Sequence, residues 1–210
     1  MVEIDSKMPT RRLRPLRRRE LPVSTVRLAR YLIGKTLVRQ LPEGTLAGRI
    51  VETEAYLTGD AAAHTFRGPT PRNRSLYLER GHAYVYFTYG NHFMLNVSGG
   101  HDGTGEGVLI RAVEPIEGIE LMEHRRRTKS LKDLARGPGC LASAFRVDRR
   151  LDGVDLTVRG PLWIGTALQR SSAIGTSVRI GITKEVHRLL RFYERGSAFV
   201  SGPRRLNLSA

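Results

Sequence analysis

The chain has 210 residues, 40% of them hydrophobic, with a single cysteine (Cys140) and 35 lysines and arginines against 20 acids, for a formal net charge of +15. That length suits one sizeable core. The lone cysteine excludes an intramolecular disulfide, a Cys-x-x-Cys zinc site and a four-cysteine iron–sulfur cluster, and no apolar run approaches the roughly 18 residues of a membrane helix.

The positive charge points to a polyanion as partner. Only five of the 35 basic residues are lysines. Arginine favours bidentate phosphate contacts, although a GC-rich genome biases the ratio in the same direction. Residues 1–20 carry six arginines between Arg11 and Arg19 and few apolar side chains, so they read as a flexible basic arm. The N-terminus has no apolar segment of the secretory kind, and a cytoplasmic setting is expected.

Ser24 to Ile33 reads as a helix, capped by Ser24, striped by Leu28, Tyr31 and Leu32, and ended by Gly34. Lys35–Leu41 and Leu46–Leu57 read as paired strands around Pro42-Glu43-Gly44. Residues 58–81 form a long loop with a short helical piece near Leu76, a length that is usually functional or disordered. Tyr84–Thr88, Phe93–Ser98 and Val108–Val113 read as three further strands, and Ile116–Arg127, Leu131–Ala135 and Cys140–Phe145 as helical. The tail from Val154 to Val200 alternates short strands with turns. From pattern alone the chain is one mixed domain, strand-rich in the middle, with no repeat and no linker.

The segment IVETEAY, Ile50–Tyr56, is the chemical puzzle. Strand alternation puts Ile50, Glu52, Glu54 and Tyr56 on one face, and Val51, Thr53 and Ala55 on a core-facing side. Glu52 and Glu54 would then lie about 6.5–7 Å apart. That spacing suits a glycosidase-like acid pair or a divalent metal in a nuclease; Asp60 is the only further acid nearby. Arg111, in the apolar strand GVLIRAV, needs a carboxylate partner, and Glu54 would serve. On these residues alone a plain structural salt bridge is the preferred account. In AYVYFTYGNHFMLNVS, Tyr89-Gly90-Asn91 reads as a hairpin turn. Tyr89 at the tip is either a surface tyrosine or a wedge for duplex DNA. Tyr86 could line a pocket, while Val85 and Phe87 go to the core.

The motifs ETEAY, AAHTFRGPTPRNRSLY, AYVYFTYGNHFMLNVS, GVLIRAVEPIEG, RGPGCLASAF, RIGI and RFYERGSAFVS, in this order, resemble the alkyladenine (3-methyladenine, methylpurine) DNA glycosylase family, over roughly Thr25 to Ser201. The resemblance implies a single α+β domain, residues 21–210, with a curved, mainly antiparallel sheet surrounded by helices and a protruding β-hairpin. It implies Glu54 as the general base that activates water and Arg111 as the residue that helps hold that water. Tyr56 and Tyr86 become facing aromatic walls of a base pocket, with His64 on the Tyr56 side. Asn96 crowds a guanine 2-amino group, and Tyr89 enters the duplex. Glu52 takes no catalytic role and is structural or second to the reacting groups. No metal or other cofactor is implied.

The implied partner is double-stranded DNA carrying damaged purines of the 3-methyladenine, hypoxanthine or ethenoadenine class, acted on by a bacterial, nucleoid-associated monomer. None of the five lysines lies in the pocket motifs, so a monofunctional enzyme is expected, one that leaves an abasic site without cutting the strand. Asn91 and Met94 depart from the family pattern, and Met94 is expected to fill part of the pocket floor. The alternatives are a metal-dependent nuclease using Glu52 and Glu54, or a non-catalytic nucleic-acid-binding protein.

Overall fold

The computed structural model describes residues 10, 13–88, 90, 92–168 and 172–207. Tyr89 and Asn91 therefore lie outside the described residues, as do residues 1–9, 11 and 12. Among the described residues three α-helices pack on a curled, antiparallel sheet, the α+β architecture expected. None of the described helices is long and apolar enough to cross a membrane.

Helix α1 (Thr25–Leu32) starts where the Ser24 hydroxyl accepts from the Arg27 N–H. It turns Leu28, Ala29 and Leu32 inward, at helical spacing. The chain leaves it through Gly34 at φ +82°, a left-handed position that suits glycine. Strands β1 (Thr36–Leu41) and β2 (Gly44–Tyr56) form a tight hairpin. A second hairpin joins β3 (Ala83–Thr88) to β4 (His92–Gly99), with Gly90 between them at φ +72°. Then come β5 (Glu106–Glu117), α2 (Ile119–Arg126), α3 (Pro138–Ala144) and the short strands β6 (Leu162–Gly165), β7 (Ile174–Ser177) and β8 (Arg191–Glu194).

The sheet runs β3-β4-β5-β2-β1-β6, and β8 pairs with both β2 and β7. The long β2 is its spine. It pairs with β5 on one side; on the other it pairs first with β1 and then, from Glu52 to Glu54, with β8. The main core lies between this sheet and the helices and includes Leu28, Leu32, Val85, Ile110, Phe145 and Phe192.

The expected alternation of IVETEAY breaks partway. In the β2–β5 ladder Ile50 pairs with Val113, but Glu52 pairs with Ala112, so Val51 is bulged out. One step on, Thr53 pairs with Ile110, so Arg111 is the extra residue on the other strand. A bulge shifts the side-chain phase by one. Ile50 accordingly joins the main core with Ala55, not the face of Glu52, Glu54 and Tyr56. Val51 packs instead into a small separate cluster with Ala112, Tyr193 and Val200.

Residues 13–20, the last part of the expected arm, lie against the sheet. Leu16 N–H donates to Ile164 O at 2.9 Å and Thr166 N–H to Arg14 O at 3.1 Å, so the segment extends the β6 edge. Leu13 and Leu16 are buried, and burying a leucine is worth about 1.5–3 kcal/mol. Arg18 reaches Asp155 at 2.5 Å and Arg80 O at 2.7 Å. Two smaller adjustments follow from the backbone. β5 continues to Glu117, so α2 starts only after Gly118, at φ +74°. The expected helix Leu131–Ala135 is a single 3-10 turn, Leu131–Asp133.

Candidate active site

A cavity of 590 Å³ opens where β2 ends, between the β3–β4 hairpin, β5, the 58–81 loop and the turn 180–184. It falls in the range of small-molecule sites. Tyr56, His64, Tyr86, Asn96 and Arg111 all line it, so five residues from five separate stretches of sequence meet at one cavity. Tyr89 lies outside the described residues. Met94 lines the cavity as expected.

Glu54 is fully buried and does not itself line the cavity. It sits behind three groups that do. Its Oε1 accepts from the Ile180 N–H at 2.8 Å and lies 3.2 Å from Arg111 Nη1, and its Oε2 accepts from the Tyr56 hydroxyl at 2.9 Å. Arg111 also donates through Nε to Glu52 Oε1 at 2.8 Å and through Nη2 to Ser201 Oγ at 3.3 Å. Glu52, equally buried, accepts from Arg191 Nε at 2.7 Å and from the Ser201 N–H at 2.7 Å. Arg191 is closed off by Ser177 Oγ, Ser201 O and Asn207 Oδ1. Two acids and two arginines thus form one neutral, buried group.

The two carboxyls differ in their electrostatics. Burial pushes the Glu54 carboxyl above its ordinary range and the neighbouring Glu52 adds to the rise; Arg111, the Ile180 N–H and the Tyr56 hydroxyl oppose it without cancelling it. Burial acts on Glu52 too, but Arg111 and Arg191 outweigh it and hold that carboxyl low. Two carboxyls whose environments push them apart are the usual sign of divided labour. Here Glu52 stays ionised and Glu54 is the stronger base. Burial, and then the Glu54 carboxylate, raise the Tyr56 phenol, so it stays protonated as a donor.

The aromatic walls come from β2, β3 and the loop. The Tyr84 and Tyr86 rings stack at 5.3 Å, and Tyr84 shares a 2.9 Å hydrogen bond with His64 Nδ1. His64 stands edge-on to Tyr86, ring centroids 4.3 Å apart. The resemblance assigned His64 to the Tyr56 side, facing Tyr86, but the ring touches Tyr86 directly. A flat ring held between the two needs about 7 Å, two van der Waals separations. Partial burial and then Arg72 lower the His64 imidazole, which favours its neutral form. Asn73 fixes the loop, with Nδ2 donating to His64 O at 2.9 Å and to Gly68 O at 3.1 Å. Asn96 sits opposite Tyr84 in the β3–β4 ladder and donates to its carbonyl at 3.3 Å.

Two sequence expectations do not hold. Phe87 is 41% exposed rather than in the core, because the hairpin extends beyond the layer that covers Val85; it packs on Phe93 at 5.0 Å. Lys184 lines the cavity on its exposed side, so one lysine does reach the pocket. Ile180, Arg179 and Arg191 were not singled out from the sequence. The first contributes only a backbone N–H, which no side-chain pattern reveals. The arginines were indistinguishable among so many. Among the described residues no group of three or more His, Cys, Asp or Glu could hold a metal ion.

Residues 19–198 match the family model described as methylpurine-DNA glycosylase. A protein of Mesorhizobium japonicum is 65% identical over 192 residues, 91% of this chain and 92% of its own length. One from Paraburkholderia phytofirmans is 53% identical over 91% of this chain and 90% of its own. One from Methanoculleus marisnigri is 47% identical over 84% and 93%. All three carry the printed name "Putative 3-methyladenine DNA glycosylase".

Proposed function

The chain belongs to the methylpurine-DNA glycosylase family, a hydrolase acting on N-glycosyl bonds, and from that membership we propose that it removes alkylated or deaminated purines from duplex DNA, with Glu54 as general base. The observation that carries this is the placement of Glu54. A buried carboxyl with raised basicity sits directly behind Tyr56, Arg111 and Ile180, all of which border the 590 Å³ cavity.

The damaged purine rotates out of the stack, at a cost of a few kcal/mol that is least for a damaged or mispaired base. Tyr89, at the turn of the β3–β4 hairpin in sequence, fills the space it leaves. The base enters the cavity between Tyr56 and the Tyr86–His64 wall, and His64 draws away from Tyr86 to admit it. Asn96 narrows the floor against the guanine 2-amino group. A water enters beside Arg111 and Ile180, where Glu54 Oε1 is nearest to the cavity lining. Glu54 takes its proton as the oxygen attacks C1′. Oxocarbenium character develops at the sugar, and the Glu54 carboxylate stabilises it until it takes up the proton. A cationic alkylpurine departs unaided; a neutral base such as hypoxanthine needs a proton first.

The product is a free base and an abasic site. Lys184, on the exposed rim, is assigned to the DNA backbone rather than to C1′, so the enzyme is monofunctional. A nuclease centre built on Glu52 and Glu54 is disfavoured by their donor set: their oxygens already accept from Arg111, Arg191, Tyr56 and two backbone N–H groups. The deciding experiment is single-turnover excision from a duplex with one 7-methylguanine. Glu54→Gln should lose at least 100-fold, the lower end of general-base effects, about 10²–10⁴. Excision at the wild-type rate removes Glu54 from that role.

A further inference from the structure

Arg111 divides itself between two acids, and unequally. Its Nε donates to Glu52 at 2.8 Å, whereas its approach to Glu54 is a 3.2 Å ion pair through Nη1. Glu52 is itself fixed by Arg191 and the Ser201 N–H, at 2.7 Å each, and Ser201 Oγ takes Arg111 Nη2. The paired bulges at Val51 and Arg111 bring this geometry about, since they place Glu52 and Arg111 out of register and against one another.

We propose that Glu52 is a positioning residue for the reaction: it holds Arg111 by Nε, so that Glu54 receives only the weaker of that arginine's two carboxylate contacts and keeps its affinity for a proton. The inference rests on Glu54 being the base. Arg111 has two duties there. It must border the cavity to orient a water, and it must not neutralise the acid that deprotonates that water. A lone Arg111–Glu54 pair buried in low dielectric would close into a bidentate bridge. It would then lower the basicity of the Glu54 carboxylate and make it a poorer acceptor for the water's proton.

Glu52 prevents this in two ways. It competes for the guanidinium, and its own negative charge, next along the same face of β2, opposes a second one on Glu54. The charged and titratable groups around Glu54 are Glu52 and Tyr56 on β2, Arg111 on β5, Arg191 on β8 across the ladder, and Arg179 with Asp60 behind Tyr56. Glu52 adds to the upward push on Glu54, and Arg111 is the largest opposing influence.

The test is the acid limb of the pH–rate profile for single-turnover release of 7-methylguanine, a leaving group that needs no protonation. Glu52→Gln should move that limb to lower pH by about one unit, with a slower rate on the plateau. This variant leaves two buried arginines facing one acid and is prone to misfold. Glu52→Gln combined with Arg191→Gln restores the charge balance and should move the limb the same way. Glu52→Asp should return most of it. Folded variants with an acid limb at the wild-type position overturn the inference and leave Glu52 a structural residue. Glu54→Gln, run alongside, separates the two levels. If it retains full activity, the assignment of the base fails, whatever Glu52 does. If it is inactive and the Glu52 variants leave the limb in place, only the positioning role fails.

Discussion

The guanidinium of Arg179 lies 4.6 Å from the centroid of the Tyr56 ring, and both of its terminal nitrogens reach the Asp60 carboxylate. Arg179 also donates to Ala55 O at 3.1 Å. One contact therefore joins the end of β2, the start of the 58–81 loop and the turn that offers the Ile180 N–H to Glu54. It leaves one face of Tyr56 for a ligand.

Arg179→Met removes one half of a buried ion pair and leaves Asp60 with the Ala62 N–H and the more distant Arg188, 3.8 Å away. Such losses cost about 3–5 kcal/mol. Urea unfolding should show a lower midpoint, and Arg179→Lys, which keeps the charge but not the bidentate fork, should lose less. Equal stability of Arg179→Met and the wild type would mean that Asp60 is neutralised by other means.

Tyr56→Phe keeps the aromatic wall and deletes one donor to Glu54. That hydroxyl helps hold Glu54 down, so its loss raises the carboxyl further. The acid limb of excision should move to higher pH by about one unit, while binding of the lesion duplex stays near wild type. Loss of activity at every pH, with binding intact, would show instead that the proton travels through the phenol.

His64 should titrate below its ordinary value of about 6.5, as followed by histidine NMR. Burial and Arg72 depress it, so the unfolded chain binds its proton more readily than the folded one. The stability that neutral His64 contributes is present above the ordinary value and is lost as pH falls through the folded value. Arg72→Ala should return part of the shift. A midpoint at or above the ordinary value contradicts the neutral assignment.

Lys184 is the cavity lysine, so it is the residue to test for strand cleavage. Borohydride added during excision should trap no covalent protein–DNA complex. Lys184→Ala should weaken duplex binding and lower the salt slope by about one. A trapped complex that disappears in Lys184→Ala would make the enzyme bifunctional.

Much of this architecture was readable because alternating strands and capped helices obey short-range rules. Ser24 capped α1, and the β1–β2 and β3–β4 hairpins fell where Gly44 and Gly90 allowed them. The need of Arg111 for a carboxylate followed from its apolar surroundings alone, although it meets two of them. Other features depend on contacts distant in sequence. A bulge is set by the partner strand, so nothing in IVETEAY marks Val51 as unpaired. Residues 13–20 looked like an arm because arginine dominates them; the leucines at 13, 16 and 21 were the fainter signal, and each is buried. Ile180 acts through its backbone, and its identity therefore says nothing about its duty.

The offset at Val51 and Arg111 makes β2 a splice of two half-strands. Before it, even-numbered positions such as Leu46 and Ile50 point to the main core; beyond it, the odd-numbered Ala55 does. Deleting a paired residue such as Thr53 from β2 alone would turn Glu54 toward the apolar interior and present Ala55 to the cavity. Other length changes in β2 can be absorbed only by a matching change in its partner β5, or in the turn at Glu43 that joins it to β1. The cavity end of this sheet must therefore be transplanted into another scaffold as two strands together, never as one.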